Sequence, residues 1–325
     1  MVPVLWDLIT ELECSACRFT LSPTKKKSMN LKGQNLRVFH GSTVIAMATN
    51  CSITLTNNTD ESSTKDVVGM ASQPTVISQG WQVQVDSLKV SDIGSLLTSI
   101  KNNIKFLLMW DETATSDNST AQGAGYARQG YAYLNELTVN FNDRENSAKN
   151  LSFTGDGALA KIASPQASGG DMPQVFTKGQ FVRLFLGSDN TATPSKVIAS
   201  AKQLSLHISM QLEDATTKDT EGNWLIQEPV ALSYDISTTA LVKSDETITS
   251  QVSAQDLSSI EDIYEAATPV KWAIANVSGA NQRTKGSVIC SGSAIVTQLQ
   301  ISAQNRANAT YQASLNGFGT YNVGA

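Results

Sequence analysis

The sequence is poor in the residues from which most catalytic and metal sites are built. Its 325 residues include two histidines, His40 and His207, and four cysteines. Charged residues make up 16% and aromatic residues 6%, and no stretch reaches the roughly 20 consecutive apolar residues of a membrane-spanning helix. The formal net charge of −5 and the lack of a Lys/Arg-rich stripe argue against a protein that grips nucleic acid.

Known catalytic signatures are missing as well. The sequence has no phosphate-binding loop, no H-E-x-x-H pair and no G-x-S-x-G elbow. Cys14 and Cys17 have the spacing of half a zinc site, but no second pair lies further along the chain, so we expect two reduced thiols. Cys51 and Cys290 lie in strand-like runs and are expected in the core. We therefore predict no enzymatic activity, no cofactor and no bound metal.

The residues that are abundant favour a mainly β protein. Ser, Thr, Asn, Gln and Ala are frequent beside 41% apolar residues, which is enough for a buried core. The length suggests two domains of ordinary size. Residues 1–28 differ in composition from the rest of the chain, so we expect an N-terminal extension that is not native or is disordered. The alternative is a short helix at residues 5–12 that packs elsewhere or frays.

An internal repeat is the strongest pattern in the chain. Residues 130–159 and 292–321 align without a gap at a constant offset of 162. Two shorter matches lie upstream in the same order. They are K-G-Q at residues 32–34 and 178–180, and S-T-K-D at residues 63–66 against T-T-K-D at residues 216–219.

We interpret these three matches as a tandem duplication. Copy one covers residues 29–160 and copy two covers residues 175–325. A polar linker with turn-forming residues, 161–174, joins them. Each copy is expected to hold about seven strands and one short helix, arranged as a β-sandwich or small barrel.

Periodicity predicts where several elements of each copy lie. Residues 81–86 alternate between apolar and polar side chains and form the clearest strand. Residues 104–110 are expected to form a buried strand. Asp92 and Asp256 stand before apolar residues at helical spacing, so each is expected to begin one of the two helices.

Five pieces of copy one occur in a characteristic order. A strand of the form G-x-x-L-x-V opens it at residues 33–39, and T-K-D comes second at residues 64–66. Next come the alternating strand with Trp81, the short helix, and the closing phrase F-T-G-D-G-A-L at residues 153–159. This ordered set resembles the bacteriophage tail tube (major tail) protein family. The resemblance is weaker in copy two, where Trp224 precedes the alternating strand.

The resemblance implies a structural virion protein whose subunits stack as rings around a β-lined channel for DNA. Family members form hexameric rings, so a duplicated chain would close the same ring as a homotrimer. It also implies assembly in the bacterial host cytoplasm, a final location in the virion tail, and no membrane segment. The implied partners are further copies of the chain, tail terminator, baseplate and tape measure proteins, and genomic DNA that passes without specific binding.

The charge of the chain is compatible with such a channel. Residues 29–165 carry 10 positive and 12 negative side chains, and residues 166–325 carry 10 and 14. A neutral or negative lining repels phosphate, although mild acidity is also common among soluble proteins. Polar strand faces would suit a wet channel wall or any solvent-facing sheet. The candidate lumen-lining or inter-subunit residues are Gln82, Gln84, Asn135, Thr138, Asn140, Thr297, Gln298 and Gln300.

Two long polar stretches, residues 57–78 and 211–229, are expected to be loops. Loops of this length in a compact domain are usually functional or disordered. In related tubes such a loop reaches the next ring. The candidate residues for subunit and ring-stacking contacts are Asn57, Asp60, Thr64, Lys65, Asp66, Glu213, Thr217, Lys218 and Asp219.

Two other functions compete with a virion tail tube. One is the tube of a phage-derived injection machine, such as a contractile bacteriocin or a secretion system. The other is a two-domain β-sandwich adhesin, which would need an exposed aromatic platform and a secretion signal. The few aromatic residues of this chain lie mostly in core-like runs, which favours a tube.

Overall fold

A computed structural model describes residues 32–41, 43–61, 72–112, 127–162, 177–220, 222–242, 254–278 and 284–324. Gly33–Ala325 form one compact unit. Of the other unit, Met1–Lys32, the described residues include Lys32 alone. The extension predicted at residues 1–28, with Cys14 and Cys17, lies outside the described residues. So does the predicted linker, apart from its first two residues.

The two halves of the described chain share one order of elements, except that the second half has an additional two-residue strand before its helix. The first half has a 3-10 turn (Gly33–Asn35), β1 (Leu36–His40), β2 (Thr43–Val44), β3 (Ala48–Glu61), β4 (Pro74–Ser87), α1 (Ile93–Lys101), β5 (Phe106–Glu112), β6 (Arg128–Asn142) and β7 (Ala148–Lys161). The second half has a 3-10 turn (Gly179–Phe181), β8 (Val182–Leu186), β9 (Lys196–Ile198), β10 (Ala201–Asp214), β11 (Gln227–Leu241), β12 (Ala254–Gln255), α2 (Leu257–Ala266), β13 (Val270–Ser278), β14 (Thr284–Ser302) and β15 (Thr310–Val323). The fold is therefore mainly β, as predicted, with one short helix in the described part of each half.

All the strands belong to one hydrogen-bonded sheet. Its long strands lie in the order β3-β4-β7-β6-β10-β11-β15-β14, and the two halves join where β6 pairs with β10. The first residues of β6 pair instead with β5, and the first residues of β14 pair with β13. The shorter strands and both helices share one hydrophobic core with the buried face of the long strands.

The core of each half centres on one aromatic residue that lies against two glycines. Trp81 of β4 is buried, and its indole N–H donates to the Gly157 carbonyl at 3.0 Å. A Cβ atom at Gly155 would lie 2.2 Å from the Trp81 ring. In the second half Tyr234 of β11 takes this position, because a Cβ at Gly317 would lie 2.6 Å from its ring. The Trp81 of copy one thus corresponds in space to Tyr234 and not to Trp224.

Backbone irregularities recur at matching positions of the two halves. The bulge of β6 between Leu134 and Glu136 recurs in β14 between Val296 and Gln298, at the offset of 162 found in the sequence. The non-glycine residues with positive φ also form matching sets in the described chain. They are Met47, Asn103 and Arg144 in the first half, and Ser200, Ala267 and Arg306 in the second.

The loops predicted at residues 57–78 and 211–229 are wrong in their bounds, because strands occupy both ends of each range and only residues 215–226 of the second range lie between strands. Strand β3 runs to Glu61, and β4 already begins at Pro74. In the second half β10 runs to Asp214 and β11 begins at Gln227. Most side chains at these ends are exposed on both faces, so the apolar alternation that marks a half-buried strand is absent.

The predicted strand at residues 104–110 also needs a correction at its start. Strand β5 begins at Phe106, and Ile104 is 48% exposed. Asp92 and Asp256 do precede the helices, as predicted. The Asp256 side chain accepts a hydrogen bond from the Ser259 amide, whereas Asp92 makes no side-chain cap.

Candidate functional site: one polar sheet face and two open edges

The long strands present one continuous polar face built from both halves. Directly opposed residues form a row that crosses seven strands, and none of its members is buried. The row consists of Asn50, Asp86, Asn150, Thr138, His207, Asp235 and Asn316. A neighbouring row reaches the last strand through Asn140, Ser205, Ser237, Ser314 and Gln298.

The opposite face of the same strands is apolar and packs into the core. The row next to the polar one consists of Cys51, Val85, Leu151, Leu137, Ile208 and Tyr234. All but the half-buried Cys51 are buried. Because strand side chains alternate between faces, this buried row keeps the register and so holds the polar row on the outside.

Hydrogen bonds tie the polar face together across strand boundaries. Asp86 accepts from the side-chain amides of Asn50, at 3.3 Å, and Asn150. Thr138 Oγ1 lies 3.0 Å from Nδ1 of His207. These bonds join strands of both halves into one surface.

The electrostatic character of the polar face is neutral to negative. Within the two rows, Asp86 and Asp235 are acidic, and neither row contains Lys or Arg. Glu136 lies beside the first row, with Oε1 3.6 Å from Nδ1 of His207. Such a surface offers a phosphate backbone no cluster of cations to bind.

The structure brings most of the predicted lumen-lining residues onto this face. Gln82 and Gln84 are exposed on β4 opposite Thr154 and Ser152, and Thr138 and Asn140 are half-buried on β6. On β14, Gln298 and Gln300 lie opposite Ser314 and Gln312.

Two of the predicted residues, Asn135 and Thr297, are the extra residues of the matching bulges. Thr297 lies with the polar face, since its hydroxyl is 3.4 Å from Oδ1 of Asn316. Asn135 is half-buried, and its Oδ1 has no hydrogen-bond partner among the described residues.

The predicted contact residues that the structure describes lie at the ends of the two long hairpins and in the loop after β10. Asn57 and Asp60 are exposed on β3, and Glu213 is exposed near the end of β10. Thr217, Lys218 and Asp219 are exposed in the loop after β10. Thr64, Lys65 and Asp66 lie outside the described residues.

The loop after β10 contacts the first half of the same chain. Its Leu225 amide donates to the Gln79 carbonyl at 2.9 Å, and its Leu225 carbonyl accepts from Gly157 at 2.8 Å. The Gln227 amide donates to Oδ1 of Asp156 at 2.7 Å. The second half is thus held against β4 and β7 of the first half.

Two of the long strands have an open edge within the described residues. Strand β3 pairs with β4 alone, and β14 beyond Ala294 pairs with β15 alone. Leu55 on β3 is 63% exposed and Ile301 on β14 is 50% exposed. An unpaired edge with exposed apolar side chains is a template for another strand.

Within the described part of the chain, no group of three or more His, Cys, Asp or Glu side chains could hold a metal ion. None of the described helices is long and apolar enough to span a membrane. Burial raises the pKa of Cys290, so this thiol is not a reactive one.

Sequence reasoning missed the contribution of β10 and β11 to the polar face. His207, Asp235 and Ser237 are central to it. The alternation of polar residues with Leu204, Leu206 and other apolar positions could have indicated this contribution. The pairing of β10 with β6, which continues the face of the first half, was not visible in the sequence alone.

Comparison with known proteins points to one family. Residues 180–323 match the model of the family described as phage tail tube protein. This match lies in the half where the sequence resemblance is the weaker one. No curated protein matches the chain.

Two solved structures similar to this chain come from tails. One is the tail of an empty gene transfer agent particle, with 16% identity and a TM-score of 0.34, covering 46% of this chain and 99% of that one. The other is the SPP1 tail tube, with 18% identity and a TM-score of 0.33, covering 45% of this chain and 78% of that one. The family match confirms, for residues 180–323, the resemblance to the phage tail tube proteins that the sequence indicates.

Proposed function

We propose that this chain is a structural subunit of a virion tail tube, without catalysis or cofactor. The observation that carries the proposal is the polar row that crosses seven strands from both halves and is backed by a buried row. Such a face can wall a water-filled channel while the opposite face stabilises the fold. The tail tube family match over residues 180–323 supports this role.

The ring is a homotrimer with pseudo-sixfold symmetry. Apart from β12, the two halves share their element order, and they also share the bulges of β6 and β14 and matching positive-φ residues, which supports a tandem duplication of one tube domain. Three copies of a two-domain chain supply six similar domains, so a closed cyclic ring forms with half the usual number of chains.

Genomic DNA passes through the channel without specific binding. The polar rows contain no Lys or Arg, and Asp86 and Asp235 add negative charge. The polar rows would therefore offer the DNA phosphates no Lys or Arg side chain to bind, and the duplex could slide.

Rings stack through the ends of the two long hairpins. Ile77 of β4 and Val230 of β11 occupy matching positions in the two halves, and they are 59% and 48% exposed. Exposed apolar residues at matching sites favour a repeated contact. Asn57, Asp60 and Glu213 surround these hairpin ends and belong to the same contact.

The assembled tail is built in the bacterial host cytoplasm. Its other partners are the tail terminator, baseplate and tape measure proteins. These partners would meet the ring surfaces that are left free at the two ends of a stack.

Light scattering and negative-stain imaging of the purified chain, with and without residues 1–28, test the proposal. We expect particles of three chain masses and hollow rings that stack into tubes. Tubes that form only after removal of residues 1–28 would show that this segment blocks polymerisation. A monomer without rings at high concentration would overturn the tube, and six chains per ring would overturn the trimer.

A further inference from the structure

The junction between the two halves includes a tightly packed turn. The turn after β6 lies against the start of the second half, where a Cβ on Gly179 would lie 2.3 Å from the Asn142 carbonyl oxygen. The Gly179 amide donates to the Glu145 carbonyl at 3.0 Å, and the Asp143 amide donates to the Lys202 carbonyl at 2.8 Å. Gly179 is therefore required by the contact with the preceding half.

The matching site of the first half is open. Gly33 corresponds to Gly179 in the repeated K-G-Q run, yet none of the described residues has an atom within 4 Å of a Cβ built on it. A cleft of about 450 Å³ opens there, whereas the cavity beside Gly179 holds about 10 Å³. Arg37 lines the cleft, and its buried Nε has no hydrogen-bond partner among the described residues.

The turn that would fill this cleft is exposed at the far end of the chain. Residues 303–309 lie between β14 and β15. Their counterparts at the offset of 162 are residues 141–147, which include the end of β6 and the turn that leads to β7. Arg144 and Arg306 have φ values of 61° and 63°, so the two turns share their backbone conformation at this point. Ala303 and Gln304 are exposed, whereas their counterparts in the docked turn, Phe141 and Asn142, are buried and half-buried.

We propose that β14 and the turn 303–309 of one copy dock on β3 and the Gly33 cleft of a second copy of this chain. This inference rests on the proposed tube function and specifies its contact within a ring. The β6–β10 pairing inside the chain sets the register, since Gln203 opposes Asn142 and Ser209 opposes Glu136. The same register places Cys51 opposite Ala303, and Leu55 opposite Leu299, of the next copy.

This register matches like residues on both faces of the new strand pair. On the apolar face, Ile53 would oppose Ile301, and the exposed Leu55 would gain an apolar neighbour. On the polar face, Ser52 would oppose Ser302 and extend the polar rows into the next copy. A shift by one residue would put apolar side chains on the polar face, so the register is strongly specified.

Each copy offers one β3 edge and one β14 edge, so the contact is head-to-tail. Such a contact closes into a ring when the rotation between copies is a simple fraction of a full turn. In a ring neither the β3 edge nor the β14 edge stays open, which explains how exposed Leu55 and Ile301 are tolerated in the assembled protein.

Disulfide trapping tests the register. In a chain with Cys14→Ser and Cys17→Ser, the variant Ala303→Cys would face the native Cys51 of the next copy. Opposed antiparallel Cα atoms are about 4.5–5.5 Å apart, within disulfide range. We expect reducible oligomers that end at the covalently closed ring. Ser302→Cys and Gln304→Cys point to the other face and serve as matched controls.

Substitution of Gly33 tests the cleft separately. Gly33→Leu has room in the free chain, so thermal unfolding of the monomer should be unchanged while rings are lost. Glu265→Leu, at an exposed position of α2, is the control and should assemble normally.

The results of these two tests distinguish the proposed contact between copies from the proposed tube function. Rings that form normally with Gly33→Leu, or that cross-link as well through residue 302 or 304 as through residue 303, would overturn this contact and leave the tube intact. A chain that never assembles would overturn the proposed function and the contact with it.

Discussion

At the scale of single residues, the repeated glycines Gly155 and Gly317 are explained by contact with aromatic rings that lie far from them in the sequence. Gly155 and Gly317 match in the repeat, and each lies against a ring from another strand, Trp81 or Tyr234. The repeat shows that glycine recurs at this position. The reason was not predictable, because the ring partner differs between the two halves and comes from β4 or β11.

Substitution of Gly155 should measure how tightly this site is packed. In Gly155→Ala the new methyl group would lie 2.2 Å from the buried Trp81 ring, so the ring or β7 must shift. We expect the free energy of unfolding to fall by about 1–3 kcal/mol, as for other overpacked cores. Chemical denaturation measures the loss.

Gly94→Ala is the matched control for that substitution. Gly94 lies in α1, and its Cβ would meet Val323 at an ordinary 3.5 Å. We expect a change of less than about 1 kcal/mol, in the stabilising direction, because alanine favours helix over glycine. If Gly155→Ala lost no more unfolding free energy than this control, the Trp81 ring would have room to move.

Lys149 is the one lysine whose side chain is fully buried in the described chain, and it forms an ion pair with the partly exposed Asp92. Burial lowers the pKa of Lys149, although the nearby Asp92 carboxylate acts in the opposite direction. Below the ordinary lysine pKa the unfolded state therefore binds more protons than the folded state at this residue. The contribution of Lys149 to stability rises with pH in that window.

A pH series of urea unfolding checks this sign. Between about pH 7 and about pH 9.5, the wild-type chain should gain stability that Lys149→Met does not gain. Asp92→Asn should lose about 2 kcal/mol at pH 7, because it leaves a buried ammonium unpaired. An identical pH dependence in the wild-type chain and Lys149→Met would contradict the prediction.

At the scale of secondary-structure elements, strands with one buried face were predictable and strands with two exposed faces were not. Residues 81–86 alternate because Val83 and Val85 enter the core, and the sequence reveals this strand. Of Asn57–Glu61 and Gln211–Asp214, Leu212 alone packs against the core, so no alternation marks these segments. Backbone pairing with the next strand alone keeps these hairpin ends extended.

Substitutions at the hairpin ends should prevent the stacking of rings. The double variant Ile77→Asp with Val230→Asp should form rings that do not stack, because a carboxylate in an apolar contact costs roughly 2 kcal/mol or more per site. Both residues are exposed in the single chain, so its stability should not change. Electron microscopy distinguishes single rings from tubes.

Ile104→Asp is the control for the stacking variant. Ile104 is a similarly exposed isoleucine that lies outside the two long hairpins. Tubes of normal length in the control and single rings in the double variant would locate stacking at the hairpins. Normal tubes in both would refute that location.

At the scale of the whole molecule, the duplication explains both what was foreseeable and what was not. Three matches in order predicted two similar halves, and the structure has one order of elements twice, with β12 added in the second half. The joining of the halves through β6 and β10 was not predictable, since polar strand faces such as that of Thr138 fit any solvent-exposed sheet. Gly33 was visible in the repeat, but its significance depends on the contact made at Gly179.

The charge of the polar face can be reversed to test whether it lines the channel. Glu136→Lys with Asp235→Lys puts two cations per chain on the polar face, and ring repetition multiplies them along a tube. We expect tubes to form and to bind short duplex DNA, whereas wild-type tubes do not. Affinity should fall steeply with salt, since each phosphate contact contributes a slope of about −0.9 to the plot of log binding constant against log salt concentration. Fluorescence anisotropy at several salt concentrations measures it.

The control places the same charges elsewhere on the chain. Asp262→Lys with Glu265→Lys changes the net charge equally on the exposed side of α2. If the polar face encloses the channel, duplex bound by Glu136→Lys/Asp235→Lys tubes should be protected from nuclease, because the wall excludes the enzyme. Duplex bound by the control tubes should be digested, because it lies outside. Equal digestion in both would place the polar face on the outer surface, and the channel would then need another lining.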